Sequence, residues 1–152
     1  MASPRTGGTR SSRTSATRDA RVTLSAGLVG ELTASVEPAM LASAIGSGGL
    51  DVFSTPSLIA LMEHAARNAV EHLLAPDQLT VGVRVDVRHL AATPLGARVR
   101  ARAELIEVAG RRLVFRVEAF DPQEKIGEGV HERAIVDPAR LVARAAAKLP
   151  QD

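Results

Sequence analysis

Apolar and polar residues alternate in four stretches in the second half of the chain. Residues 81–89 read VGVRVDVRH and set Val81, Val83, Val85, Val87 and His89 on one side. Residues 97–108 alternate Val99, Ala101, Ala103 and Leu105 with Arg98, Arg100, Arg102 and Glu104. Residues 111–120 set Leu113, Phe115, Val117 and Ala119 against Arg112, Arg116 and Glu118, and residues 126–136 form a fourth stretch. A period of two predicts strands with one buried face. Ala109-Gly110 suits a tight hairpin link, and Asp121–Lys125 a looser one. Nearer the start, residues 22–37 carry strand-like runs broken by Gly27 and Gly30. Residues 38–55 are looser, with Gly46, Gly48 and Gly49 loosening the middle.

Between these regions the period changes to that of a helix, from about Pro56 to Leu74. Thr55 ahead of Pro56 predicts an N-cap followed by proline at the first helical position, and Pro76-Asp77 ends the run. Ile59, Met62, Ala66, Ala69, Val70 and Leu73 form the apolar side, and His64, Arg67, Asn68, Glu71 and His72 the wet side. Residues 138–148 predict a short amphipathic helix. One long helix followed by antiparallel strands predicts an α+β domain in which that helix covers the sheet.

The length of 152 residues suits one domain, and residues 22–150 are expected to form it. Residues 1–21 are Ser, Thr, Gly, Arg and Ala without apolar period and are expected to be a disordered tail; an organelle transit peptide has the same composition. That tail carries five arginines against Asp19, while the remaining fourteen basic and sixteen acidic residues leave the rest at −2. The basic character therefore belongs to the tail, and the domain has no nucleic-acid footprint. With 2% aromatics and no Trp or Tyr, stacking on bases is not available either. The absence of cysteine excludes disulfides, thiolate metal sites and a thiol nucleophile. No apolar run approaches the ~20 residues of a membrane span, and there is no secretory signal, so a cytoplasmic protein without membrane partners is expected.

Three residues break the pattern. Glu63 lies on the apolar stripe of the helix, where a carboxylate costs several kcal/mol unless it is paired or protonated. Such a group suits a general base or nucleophile; a helix-edge Glu reaching solvent is the plainer alternative. His89 closes a strand whose inward side is otherwise valine, and it reads either as a catalyst or as a satisfied structural residue. Thr55 has a ready role as helix cap, yet a helix N-terminus also gathers N–H groups able to hold an oxyanion. Thr55 and Glu63 are eight residues apart, about two turns, on nearby sides of the helix. A hydroxyl, a carboxylate and an inward His could make an acyl-transfer site. His64 and His72 read as solvated, and His131 falls in a strand without clean alternation and stays unassigned. No GxSxG, P-loop, GxGxxG or HExxH motif is present, and no ligand pair has metal spacing.

The segments LIALMEHA, AATPLG (91–96), EVAGRRLVFRVEAFD (107–121) and IGEGVHERAIVD (126–137) resemble hot-dog-fold thioesterases, specifically the small group typified by fluoroacetyl-CoA thioesterase. The likeness runs from about Gly27 to the C-terminal helix. It implies a hot-dog fold, with a curved antiparallel sheet wrapped around the long helix. It also implies a homodimer with the substrate at the protomer interface and hydrolysis of an acyl thioester carried on coenzyme A or an acyl carrier protein, without a cofactor. The family's catalytic Thr, Glu and His fall on Thr55, Glu63 and His89, its active-site Gly on Gly82, and the Arg of its HER motif on Arg133. Gly46 and Gly49 stand at the two lid aromatics, so fluoroacetyl-CoA is not the expected substrate; Phe53, close by but out of register, is taken as a substrate contact. Pro56 replaces a family Gly and removes one N–H from the helix start. A hot-dog enoyl-CoA hydratase or dehydratase and a non-catalytic acyl-CoA-binding protein are the alternatives.

Overall fold

The computed structural model describes residues 24–151; the expected tail at 1–21 lies outside them. Five antiparallel strands form one sheet in the order β1-β3-β4-β5-β2, with β1 Val29–Ser35, β2 Leu79–His89, β3 Arg98–Ala109, β4 Arg112–Phe120 and β5 Lys125–Val136. The looser stretch after β1 holds a 3-10 turn at Pro38–Met40 and a one-turn helix, α1, at Ala42–Ile45. The long helix, α2, spans Thr55–Val70, followed by a 3-10 turn at Glu71–Leu73; a terminal helix, α3, spans Pro138–Ala146.

The β3-β4 link is a tight hairpin and the β4-β5 link a looser one, as expected. Gly110 takes the left-handed conformation (φ +61°) that the first link needs. Asp121 Oδ1 accepts from the backbone N–H groups of Gln123 and Glu124 and closes the second.

Helix α2 lies on one face of the sheet, chiefly against β1 and β3 and also against β4 and β2. Its buried side is Leu58, Leu61, Met62, Ala65, Ala66, Ala69 and Val70. That corrects the expected stripe: Ile59 is only half-buried, Leu73 is half-buried and lies beyond α2, and Leu58, Leu61 and Ala65 join the buried side. The sheet side is the alternating set Ala101, Ala103, Leu105, Leu113, Phe115, Val117 and Ala119, all fully buried. Small residues let helix and sheet approach closely. A Cβ on Gly30 of β1 would overlap the Ala65 carbonyl oxygen and the Ala69 nitrogen, and one on Gly127 would meet Leu58 and Met62 at 2.9 Å. Gly30 is therefore a packing residue, because backbone meets backbone there and neither side can yield.

The expected face of β2 needs correction. The register with β5 slips between Gly82 and Arg84, so Val83 is bulged out and 56% exposed. One extra residue reverses the parity of a strand. Thr80 and Gly82 before the bulge thus share a face with Val85, Val87 and His89 after it, whereas Val81 points the other way.

Gly30→Ala should lower the unfolding free energy by about 2 kcal/mol or more through overpacking. Urea denaturation measures this, and an unchanged midpoint would remove the close approach from the account.

Candidate active site

The start of α2 divides its polar work between two neighbours. Ser54, not Thr55, is the N-cap: its Oγ accepts from the Ser57 N–H at 3.1 Å, and its carbonyl from the Leu58 N–H at 2.9 Å. The helix begins at Thr55, so Pro56 occupies the second position. Among the four orphan N–H groups of a helix start, that of Ser54 donates to the Met40 carbonyl at 2.9 Å, proline has none, and that of Ser57 is taken by the Ser54 hydroxyl. That leaves the Thr55 N–H, for which no hydrogen bond exists among the described residues.

Released from capping, the Thr55 hydroxyl lies 2.8 Å from His89 Nδ1. The segment carrying it is pinned by the 91–96 loop: the Phe53 N–H donates to the Thr93 carbonyl at 2.8 Å, and the buried Thr93 hydroxyl donates to Asp121 at 3.0 Å. Thr55 and His89 open on a cleft of about 400 Å³ whose lining includes Phe53, Ser54 and Ala91. Phe53 is 2% exposed and separates this cleft from an apolar one of about 310 Å³ on the β1 side of α2. His89 Nε2 is buried with no partner among the described residues. Burial holds the His89 imidazole below its ordinary value, against an opposing interaction with the Ala91 backbone, so it is neutral at pH 7.

A second cluster surrounds Glu63, two turns further along. The carboxylate is 39% exposed and therefore not sealed in the core, and it is paired: Oε2 lies 3.3 Å from Arg133 Nη1. The Arg133 side chain is 5% exposed. Its Nε donates to Thr80 Oγ1 at 2.8 Å and its Nη2 to the Thr80 carbonyl at 2.9 Å. Nη1 also lies 3.2 Å from His131 Nε2. Burial pulls the guanidinium below its ordinary value while Glu63 pulls the other way, and arginine stays cationic. Gly82 closes the cluster, since a Cβ there would lie 3.0 Å from Glu63 Oε2 and 3.2 Å from His131 Cε1.

The fold therefore gathers the six sequence candidates into two groups. Thr55, His89 and Phe53 share one cleft, while Glu63, Arg133 and Gly82 share the other cluster. The eight residues between Thr55 and Glu63 amount to about 12 Å along the helix axis, and no hydrogen bond links the groups among the described residues. His131 and Thr80 were not legible as site residues. Along the inward face of β5 the middle positions are Gly127, Gly129, His131 and Arg133, with apolar Ile126 and Ile135 only near its ends, so no clean alternation marks that stretch. Only the position of His131 two residues from Arg133, on the same side of a strand, carried a signal.

A family profile described as fluoroacetyl-CoA-specific thioesterase, FlK, matches residues 36–139. The fluoroacetyl-CoA thioesterase of Streptantibioticus cattleyicolor is 41% identical over 100 residues, 66% of this chain and 72% of that protein. A crystal structure of the fluoroacetyl-CoA thioesterase FlK superposes with a TM-score of 0.79 at 33% identity, covering 84% of this chain and 98% of the other. A hot-dog-like protein from Thermanaerovibrio acidaminovorans superposes with a TM-score of 0.77 at 25% identity, covering 88% and 99%. The curved sheet around a central helix is thus the hot-dog fold, and the protein is a thioester hydrolase. The chain belongs to the fluoroacetyl-CoA-specific thioesterase family.

Two measurements test the site's local physics. Ser54→Ala should cost about 1 kcal/mol of stability by uncapping α2, whereas Thr55→Ala should cost clearly less; equal losses would return the cap to both residues. Burial also depresses the His131 imidazole, with the Arg84 carbonyl opposing. Between the ordinary imidazole value of 6.5 and these lower native values, the unfolded chain binds more protons than the folded one. Stability is then fully present above that value and is lost as pH falls through the depressed values. Thermal melts across this range should show the loss, with a shallower slope in His89→Ala.

Proposed function

We propose that this protein hydrolyses acyl thioesters of coenzyme A, or of an acyl carrier protein's pantetheine arm, at two equivalent sites of a homodimer. Thr55 and His89 of one protomer would face Glu63 of the other. The observation carrying this reading is the separation of the two groups within one chain. A thioester carbonyl cannot touch both across about 12 Å.

Strand β2 supplies the means of joining them. It is a sheet edge of eleven residues, with Leu79, Val83 and Val85 all well exposed. A long apolar edge left unpaired is an association surface. Cyclic dimers are self-complementary, so antiparallel pairing of two β2 edges has its two-fold axis at one point along the strand. The midpoint of Gly82 and His89 falls between Val85 and Asp86. An axis there sets Gly82 and the adjacent Glu63 of one protomer opposite the partner's His89.

The chemistry then distributes as follows. The carbonyl oxygen points at the α2 N-terminus, where the Thr55 N–H is the unused donor and the helix dipole favours the developing negative charge. Glu63 attacks the acyl carbon or takes the proton from the water that does. The carbon–sulfur bond breaks, and the thiolate receives its proton through His89, whose Nε2 has no partner among the described residues. Water supplies the hydroxyl of the released acid. Thr55 Oγ1 orients the imidazole through Nδ1. Gly82 leaves room beside Glu63, and Arg133 braces it. Phe53 walls the acyl end of the cleft. The lid positions Gly46 and Gly49 present no side chain to enclose a small fluorinated acyl group, so the preferred substrate is a different acyl thioester.

Thiol release from a panel of acyl-CoAs, followed with a thiol-reactive dye, tests the reading on a protein that has no cysteine of its own. Glu63→Gln and His89→Ala should each lower the rate at least ~100-fold. Co-refolding the two inactive variants should restore about a quarter of wild-type activity, because mixed dimers contain one intact site. No recovery would place all three residues in one protomer's site. Turnover of an enoyl-CoA to a hydroxyacyl-CoA without thiol release would replace hydrolysis by hydration.

A further inference from the structure

Arginine and carboxylate ordinarily meet fork to fork, through two parallel hydrogen bonds. Arg133 and Glu63 do not. One guanidinium nitrogen, Nη1, touches one oxygen, Oε2, at 3.3 Å, and Oε1 has no hydrogen-bond partner among the described residues. The reason lies in what else holds the guanidinium. Thr80 takes Nε and Nη2, and His131 takes a share of Nη1.

The tautomer of His131 follows from its two neighbours. Nδ1 is 2.8 Å from the Arg84 carbonyl, which can only accept, so Nδ1 carries the proton. Nε2 then presents a lone pair to Arg133 Nη1, which can only donate. A protonated imidazole would lose that acceptor and set a second cation against Arg133. Arg84 is the residue just after the β2 bulge. The Phe115 ring stacks on the far side of His131, its centroid 6.4 Å away. The imidazole is 1% exposed and fixed at both nitrogens.

We propose that His131 is a positioning residue: as a neutral Nδ1–H imidazole tied to the β2 bulge, it turns Arg133 away from a fork-to-fork pair. Glu63 thereby receives one long contact on Oε2 and keeps Oε1 open for the reacting centre. Thr80 does the same work from the other side of the guanidinium. The role of Oε1 rests on the reading of Glu63 as the working carboxylate; the orientation of Arg133 does not.

Two variants each remove one partner of the guanidinium, His131→Leu the acceptor beside Nη1 and Thr80→Val the acceptor of Nε, while the Thr80 carbonyl keeps Nη2 in both; two readouts follow each. The first is independent of turnover: carboxyl carbon-13 NMR of Glu63. A second contact with Arg133 should move the Glu63 carboxyl resonance in whichever variant folds. The second is the kinetics of acyl-CoA hydrolysis, in which kcat should fall about tenfold while KM changes little. In an Arg133→Lys background, where no fork can form, His131→Leu should have little further effect on kcat. A lower kcat with an unmoved Glu63 resonance would make His131 merely structural and overturn the inference. Wild-type protein inactive on every acyl-CoA would instead fail the proposed function, and the NMR comparison would still decide the orientation of Arg133.

Discussion

A guanidinium almost removed from water must find its charge and all its N–H groups answered where it lies. Arg133 sits on the inward face of β5, and its neighbours follow from that need. Thr80 turns both its hydroxyl and its carbonyl toward it, His131 offers a lone pair, and Glu63 supplies the countercharge. These partners come from three elements, α2, β2 and β5. Their meeting requires the β2 bulge, because a regular β2 could not place Thr80 and Gly82 on the same face as Val85 and His89. The cost of one buried cation thus sets the shape of an edge strand and the surroundings of the one carboxylate that faces the cluster.

The opposite end of α2 shows how a polar start can serve a site as well as a helix. A cap residue spends its side chain on backbone N–H groups. By taking that role one position earlier, Ser54 leaves Thr55 with a hydroxyl for His89 and an N–H without a partner among the described residues. Pro56 adds to the asymmetry by removing the next donor. Because Phe53 and Thr93 fix the backbone just before the helix, this arrangement is held by the 91–96 loop and does not depend on the helix alone. The glycines Gly30 and Gly127 set the depth at which α2 sits on the sheet, and with it the distance of both polar groups from β2 and β5.

In the proposed homodimer the two polar groups would form halves of a site. One helix separates them and one strand, β2, runs past both, ending at His89 and touching Glu63 through Gly82. A strand with these contacts at its two ends makes a two-fold pairing an economical way to complete two sites at once. Among the described residues no helix is long and apolar enough to cross a membrane. The terminal helix α3 leaves Leu141 and Val142 exposed, an amphipathic face with no part in the site.

The sequence by itself determined the elements and their order. Alternation marked β3 and β4 to within about a residue, because their inward positions are filled by apolar side chains over α2. It also marked Thr55, Glu63 and His89 as residues out of keeping with their surroundings, and the family likeness added Gly82 and, through the HER motif of IGEGVHERAIVD, Arg133. Tertiary structure alone decided which of these meet. The bulge at Val83 leaves no trace in a period-two pattern that continues through it. His131 and Thr80 were hidden because the middle of the inward face of β5 is glycine, histidine and arginine, which gives burial without hydrophobicity. The choice of Ser54 over Thr55 as cap turned on one residue of helix phase, which the pull of the 91–96 loop sets and local propensity does not. Patterns along a chain report what each residue buries; they do not report which polar partner, from another strand, makes that burial possible.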